Sequence, residues 1–154
     1  MADREVREVV EGEGYAVGAI DGIGEGYGFR KIRRELGVTE FGINAVVIPP
    51  GYQTGRHFHD RQQELYFVHE GRLEFEFEDG SRHVLRSGCA ARVDPATVRR
   101  YKNVGDTDAV CVIVGAARGY VGRDGRALDD EESPRGPGFE GPPGAGPLLP
   151  NERS

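Results

Sequence analysis

Between residues 41 and 115 the apolar residues fall in short runs, broken at regular intervals by turn residues. Residues 72–78 alternate cleanly, with Leu73, Phe75 and Phe77 on one face and Glu74, Glu76 and Glu78 on the other. That period of two predicts a half-buried strand with a solvated acidic outer face, and Asp79-Gly80 closes a hairpin after it. Residues 41–48 are apolar at both parities, with Asn44 the one strongly polar position, which predicts a strand covered on both sides. Pro49, Pro50 and Gly51 end it. Further strands are predicted over 64–70, 82–85, 89–93, 98–103 and 109–115, separated by turn signals at Ser87-Gly88, Asp94-Pro95 and Gly105-Asp106. Many short strands at even spacing predict an all-β barrel or double sheet.

The ends of the chain read differently. Residues 1–20 form an N-terminal arm, in which Val6, Val9 and Val10 among charged neighbours suit a short helix or an edge strand. Gly22, Gly24, Gly26 and Gly28 then give a flexible entry to a barrel spanning 21–122; they never satisfy G-x-G-x-x-G, so a dinucleotide loop finds no support. Residues 123–154 form a low-complexity tail. Glycine and proline dominate it from Ser133 on, with too few apolar side chains to bury, and it is expected to be disordered.

Composition narrows the function classes. A length of 154 residues suits one domain. The net charge of −6 argues against a nucleic-acid surface, whose footprint would be basic. No apolar run reaches the length of a membrane span, and the first residues lack the apolar core of a secretory signal, so a cytoplasmic location is expected. Cys89 and Cys111 lack C-x-x-C spacing and read as small buried hydrophobes. Ser81 and Ser87 lie in turn sequences with no nucleophile elbow, so a Ser/His/Asp hydrolase finds no support.

The chemistry concentrates between Gly51 and Gly71. His57 and His59 alternate on one run, so on a strand they point to the same side. Glu64 follows after a turn-sized gap and opens the next apolar run, which brings a carboxylate beside two imidazoles. Two His and one carboxylate on one face form the open-sided triad of non-haem iron and similar metals. Of the other two histidines, His69 falls on the opposite strand face from Glu64 and His83 follows a hairpin; both read as surface residues.

This segment resembles the first motif of the cupin superfamily, G-x5-H-x-H-x4-E-x6-G, met in full by Gly51, His57, His59, Glu64 and Gly71. The family's second motif, G-x5-P-x-G-x2-H-x3-N, is met at its ends by Gly88 and Asn103 and altered between them. Asp94 stands at the Pro position, Ala96 at the second Gly and Arg99 at the His that supplies the family's fourth ligand. The resemblance covers roughly residues 42–115. It implies a cupin-type double-stranded β-helix, a jelly-roll barrel, holding a divalent metal (Fe, Mn, Zn or Ni) on His57, His59 and Glu64, and it leaves room for a homodimer through an outer sheet.

Arg99 divides the reading in two, because a guanidinium has no lone pair for a metal. At about 4 Å from a dication, with an effective dielectric near 20, it would repel by roughly 8 kcal/mol. In the first alternative Arg99 stands further off and, with Tyr66 and Tyr101 on the same inner faces, binds a small anionic or carbonyl-bearing molecule beside the metal. Metal-assisted oxygenase, isomerase or decarboxylase chemistry would follow. In the second, Arg99 pairs with Glu64 in place of the dication, and the barrel is a cofactor-free binding or structural module. Whether the chain is an enzyme stays open at this point.

Overall fold

The computed structural model describes residues 5–122 and 124–128. Twelve strands are defined in chain order: β1 (Val10–Gly12), β2 (Tyr15–Val17), β3 (Gly28–Arg30), β4 (Gly42–Ile48), β5 (His57–His59), β6 (Gln63–Glu70), β7 (Arg72–Phe77), β8 (Arg82–Arg86), β9 (Ala90–Val93), β10 (Arg99–Asn103), β11 (Ala109–Ala116) and β12 (Gly125–Ala127). One short helix, α1 (Ile32–Leu36), lies between β3 and β4 and packs on β4. Apart from the separate β1–β2 hairpin, the strands form two five-stranded sheets, in the orders β12-β5-β10-β7-β8 and β3-β4-β11-β6-β9. Every pairing is antiparallel. No helix among the described residues is long and apolar enough to cross a membrane.

The alternation seen in the sequence decides which face is inside. Leu73 and Phe75 of β7 are fully buried, as are Tyr66 and Val68 of β6 and Cys111 of β11; they share one core with Val46, Ile48 and Tyr101. On the outer face of β7, Glu76 is paired with Arg82 of β8 and Arg100 of β10, so the acidic face is answered by arginines of the flanking strands. β4 is more closely covered inside than outside. Asn44, Val46 and Ile48 are buried, and on the outer face Ala45 is fully buried while Ile43 and Val47 stay partly exposed. The turn glycine Gly71 has a concrete reason: its φ is +95°, and a Cβ there would stand 2.8 Å from that of Ala109.

The barrel uses more of the chain than the apolar runs outlined. The entry segment contributes β3, paired with β4, while the arm forms the β1–β2 hairpin as a sheet of its own. Beyond residue 122, β12 pairs with β5 in the register Gly125↔His59 and Ala127↔His57. β12 thus forms the edge of that sheet beside β5. Three residues with one apolar side chain carry no periodicity to read; what fixes β12 is the partner strand. The expected disorder of the remaining tail concerns residues 129–154, outside those described.

Candidate metal and ligand site

His57 and His59 project from β5 to the same inner side, and both are buried. The chain then crosses from one sheet to the other through residues 60–62 and enters β6, where Glu64, Tyr66 and Val68 face inward. That crossing lays Glu64 over the two imidazoles. One ligand atom from each of His57, His59 and Glu64 lies within 4.8 Å of the others. Arg99 stands opposite His57 in the β5–β10 ladder, and its side chain is completely buried.

Outer partners fix the ring orientations. His59 Nδ1 is 2.8 Å from Asp124 Oδ1, and His57 Nδ1 is 3.3 Å from the Gly55 carbonyl oxygen. Both partners only accept, so each ring donates from Nδ1 and turns Nε2 inward. Asp124 also accepts from the backbone N–H groups of Arg61 and Gln62, each at 2.9 Å, and from the Gln62 side-chain amide. One carboxylate thus holds His59 and the crossing between the sheets together.

On the inner side, Glu64 Oε1 gathers three groups. The Tyr66 hydroxyl donates to it at 2.6 Å, Arg99 Nη2 donates at 2.7 Å, and His59 Nε2 stands 3.0 Å away. Arg99 also donates from Nε to the Tyr66 oxygen at 3.3 Å and from Nη1 to the Thr97 carbonyl at 2.7 Å. Tyr101 packs its ring 5.8 Å from that of Tyr66, on the core side. The structure brings His57, His59, Glu64, Tyr66 and Arg99 into one cluster, while Tyr101, expected beside Arg99 at the ligand, packs in the core behind Tyr66. Sequence reasoning missed Asp124 and Gln62. Asp124 lies in a Gly- and Arg-rich stretch that gives no apolar signal, and only its fold partners reveal it.

Burial and charge set the protonation states. Burial, with the charge of Arg99 added, pushes the His57 imidazole down to about 3. Burial alone would raise the Glu64 carboxyl, but the hydrogen bond and charge of His59, then the charge of Arg99, outweigh it and hold the group at about 2. Burial, reinforced by Glu64, raises Tyr66 well above the ordinary phenol value. At neutral pH the centre thus holds an anionic Glu64, a neutral His57, a protonated Tyr66 and a cationic Arg99.

The donor set fits a divalent metal ion. Two imidazoles turn Nε2 inward with their other nitrogens tied back, and a carboxylate closes the triangle. His59 Nε2 and Glu64 Oε1 stand 3.0 Å apart, so a divalent cation there would take the place of the ring proton that otherwise bonds the two. Against this, the Arg99–Glu64 contact already gives the carboxylate one positive partner.

A narrow cleft, with about 20 Å³ of room for water-sized occupants, reaches Glu64. Its walls come from Gly42 and Asn44 of β4, Ile113 and Gly115 of β11, Gln62 of the crossing, and Arg33 and Tyr120.

The fold and the motif define the protein class. Residues 44–115 match the cupin-domain family profile, and the chain carries a cupin domain of double-stranded β-helix architecture. Among known proteins it is similar to the polyketide synthase CurC of Streptomyces cyaneus, 31% identical over 74 residues that cover 48% of this chain and 47% of that protein. It is also similar to protein SchB of Streptomyces halstedii, 29% identical over 103 residues that cover 65% of this chain and 74% of that protein. The aligned stretch thus spans about half the length of CurC. A sugar phosphate isomerase of the cupin superfamily from Silicibacter pomeroyi shares the fold, with a TM-score of 0.56, 24% identity, and coverage of 76% of this chain and 67% of that one.

Proposed function

We propose that the barrel binds a small anionic or carbonyl-bearing molecule at a divalent metal held by His57, His59 and Glu64. The observation that supports this most directly is the pair of inward Nε2 atoms, each with its Nδ1 tied to an outer acceptor, converging with Glu64 inside one 4.8 Å cluster. A bound divalent ion would supply Lewis-acid polarisation of a ligand oxygen, in keeping with oxygenase, isomerase or decarboxylase chemistry. The chain's own residues supply the rest. Arg99 and Tyr66 hold Glu64 in place. Tyr66 remains a hydrogen-bond donor throughout the neutral range, and burial excludes water from the pair. The likeness to CurC supports a polyketide-derived molecule as the substrate class.

A second reading rests on the 2.7 Å contact between Arg99 and Glu64. In it, Arg99 takes the place of the dication and the barrel is a cofactor-free binding module. A buried ion pair is not in itself a gain in stability, so the contact calls for a functional reason in either case.

Metal analysis of protein purified without chelator or nickel resin decides between them. Near-stoichiometric iron, manganese, zinc or nickel is the expected result. Arg99→His, which exchanges a charge for a nitrogen donor, is expected to tighten manganese or zinc binding in a calorimetric titration. A wild type that neither carries nor binds these metals ends the first reading and leaves the second. An Arg99→His variant that binds no better would show that Arg99 does not neighbour the metal position.

A further inference from the structure

The cleft runs inward from the half-buried Arg33, Tyr120 and Gly42 to the buried Asn44, Gln62 and Glu64, and neither Tyr66 nor Arg99 lines it. Its room of about 20 Å³ is enough for one water molecule, which needs roughly 10–15 Å³ and two or more polar partners. Three side chains bring acceptor oxygens to its wall. Asn44 is the one strongly polar residue of β4; it is buried, and its side-chain oxygen has no hydrogen-bond partner among the described residues. Gln62 gives its amide nitrogen to Asp124, and its oxygen lies over Gly115, where a Cβ would run into it. Glu64 spends Oε1 on Tyr66, Arg99 and His59, which leaves Oε2 for the cleft. A buried acceptor without a donor costs on the order of 1–3 kcal/mol. A water molecule fits the room and brings two donors. A monovalent cation would also seek oxygens, but two guanidinium groups oppose it by charge. Arg99 already sits on Glu64, and Arg33 stands 4.1 Å over the Tyr120 ring.

We propose that this cleft is the water inlet of the buried centre. One water molecule is held among Asn44, Gln62 and Glu64, donates to the Asn44 side chain and to the Glu64 carboxylate, and exchanges with solvent past Arg33 and Tyr120. Asn44 is thereby a positioning residue. It holds water against a carboxylate whose neighbours His57, His59 and Arg99 are closed to solvent. On the reading of the centre as a metal site, this is the route by which water reaches the ion; the holding of the water does not depend on that reading.

The test measures water–protein cross-relaxation by NMR on the isotope-labelled full-length protein, first in chelator. Long-lived cross-peaks are expected from water to the Ile113 methyl groups and the Gly115 α-protons, none of which exchanges with solvent. Asn44→Leu, an apolar side chain of similar size, is expected to lose them, and Asn44→Ser, which keeps an oxygen at the site, is expected to retain them. Manganese is then added to the wild type and to Asn44→Leu. Equal manganese content with slower water-proton relaxation in Asn44→Leu is the expected result. Absence of the cross-peaks in the wild type, or their persistence in Asn44→Leu, overturns the proposal. Equal relaxation in the two manganese-loaded proteins overturns the inlet. A melting temperature of the wild type that rises with sodium at fixed ionic strength gives the place to a cation and overturns it as well. Cross-peaks that behave as expected in a protein that takes up no manganese retain the water site and end only the metal reading.

Discussion

At the scale of single residues, the altered second motif leaves a measurable trace in Ala96. The residue stands where the family pattern has glycine, and its φ is +65°, in the left-handed region. Its N–H donates to the His59 carbonyl oxygen at 2.7 Å, so the turn it shapes is tied to β5. A left-handed Cβ costs roughly 1–2 kcal/mol, of which glycine's extra chain entropy would take back about half. Ala96→Gly should therefore raise the unfolding free energy by about 0.5–1 kcal/mol, read as a higher urea midpoint at unchanged slope; a lower midpoint would show that the turn does not need this conformation. The buried ionisable groups make a second claim, on the metal-free protein in chelator. His57 titrates near 3 when folded against an ordinary 6.5, and Glu64 near 2 against 4.5. Both folded values are depressed, so the unfolded chain binds more protons, and stability is lost as pH falls. His57 should contribute a slope of about 1.4 kcal/mol per pH unit from pH 6.5 downward, and Glu64 should add an equal slope below 4.5. His57→Gln should remove its share of the loss between pH 6.5 and 4.5 in denaturant titrations, and an unchanged profile there would contradict a buried neutral His57.

At the scale of elements, periodic segments were legible and partner-dependent ones were not. β7 shows its face in the alternation of Leu73, Phe75 and Phe77 with glutamates, and β11 shows itself as an apolar run between turn residues. Arg99 was legible as a missing fourth ligand, and the contact with Glu64 that it makes was one of the two positions its chemistry allowed. β3 and β12 have three residues each, and pairing with β4 and β5 creates them. Asp124 shares that fate. Nothing in its local sequence separates it from the other tail acids, yet it anchors His59 and two backbone N–H groups of the crossing. Orienting partners of this kind typically account for 10–100-fold in metal affinity. Asp124→Ala should weaken manganese binding by about that factor and should destabilise the fold by roughly 2–4 kcal/mol, because buried donors lose their acceptor. Unaltered affinity would show that the ring of His59 is held by other contacts.

At the scale of the whole molecule, the centre is a junction between the two sheets and the end of the described chain. His57, His59 and Arg99 come from one sheet, Glu64 and Tyr66 come from the other, and Asp124 closes the ring just before β12. Two truncations separate what composition implied about the tail from what the fold adds. Ending the chain after residue 122 removes Asp124 and β12 together, uncovers the edge of β5, and leaves the N–H groups of Arg61 and Gln62 without their acceptor. Ending it after residue 132 keeps all of these and removes a segment whose glycine and proline content offers little apolar area to offset ordering entropy. The longer form should melt within about 2 °C of the full chain, less than the shift expected from 1 kcal/mol in a domain of this size. The shorter form should melt far lower and lose metal binding with its stability, since the His59 ring is released as the barrel edge opens. Thermal melts of both forms, each with a manganese titration, read the two effects together. A short form as stable as the full chain would mean that β5 holds its histidines without β12, and that the site is complete within residues 21–122.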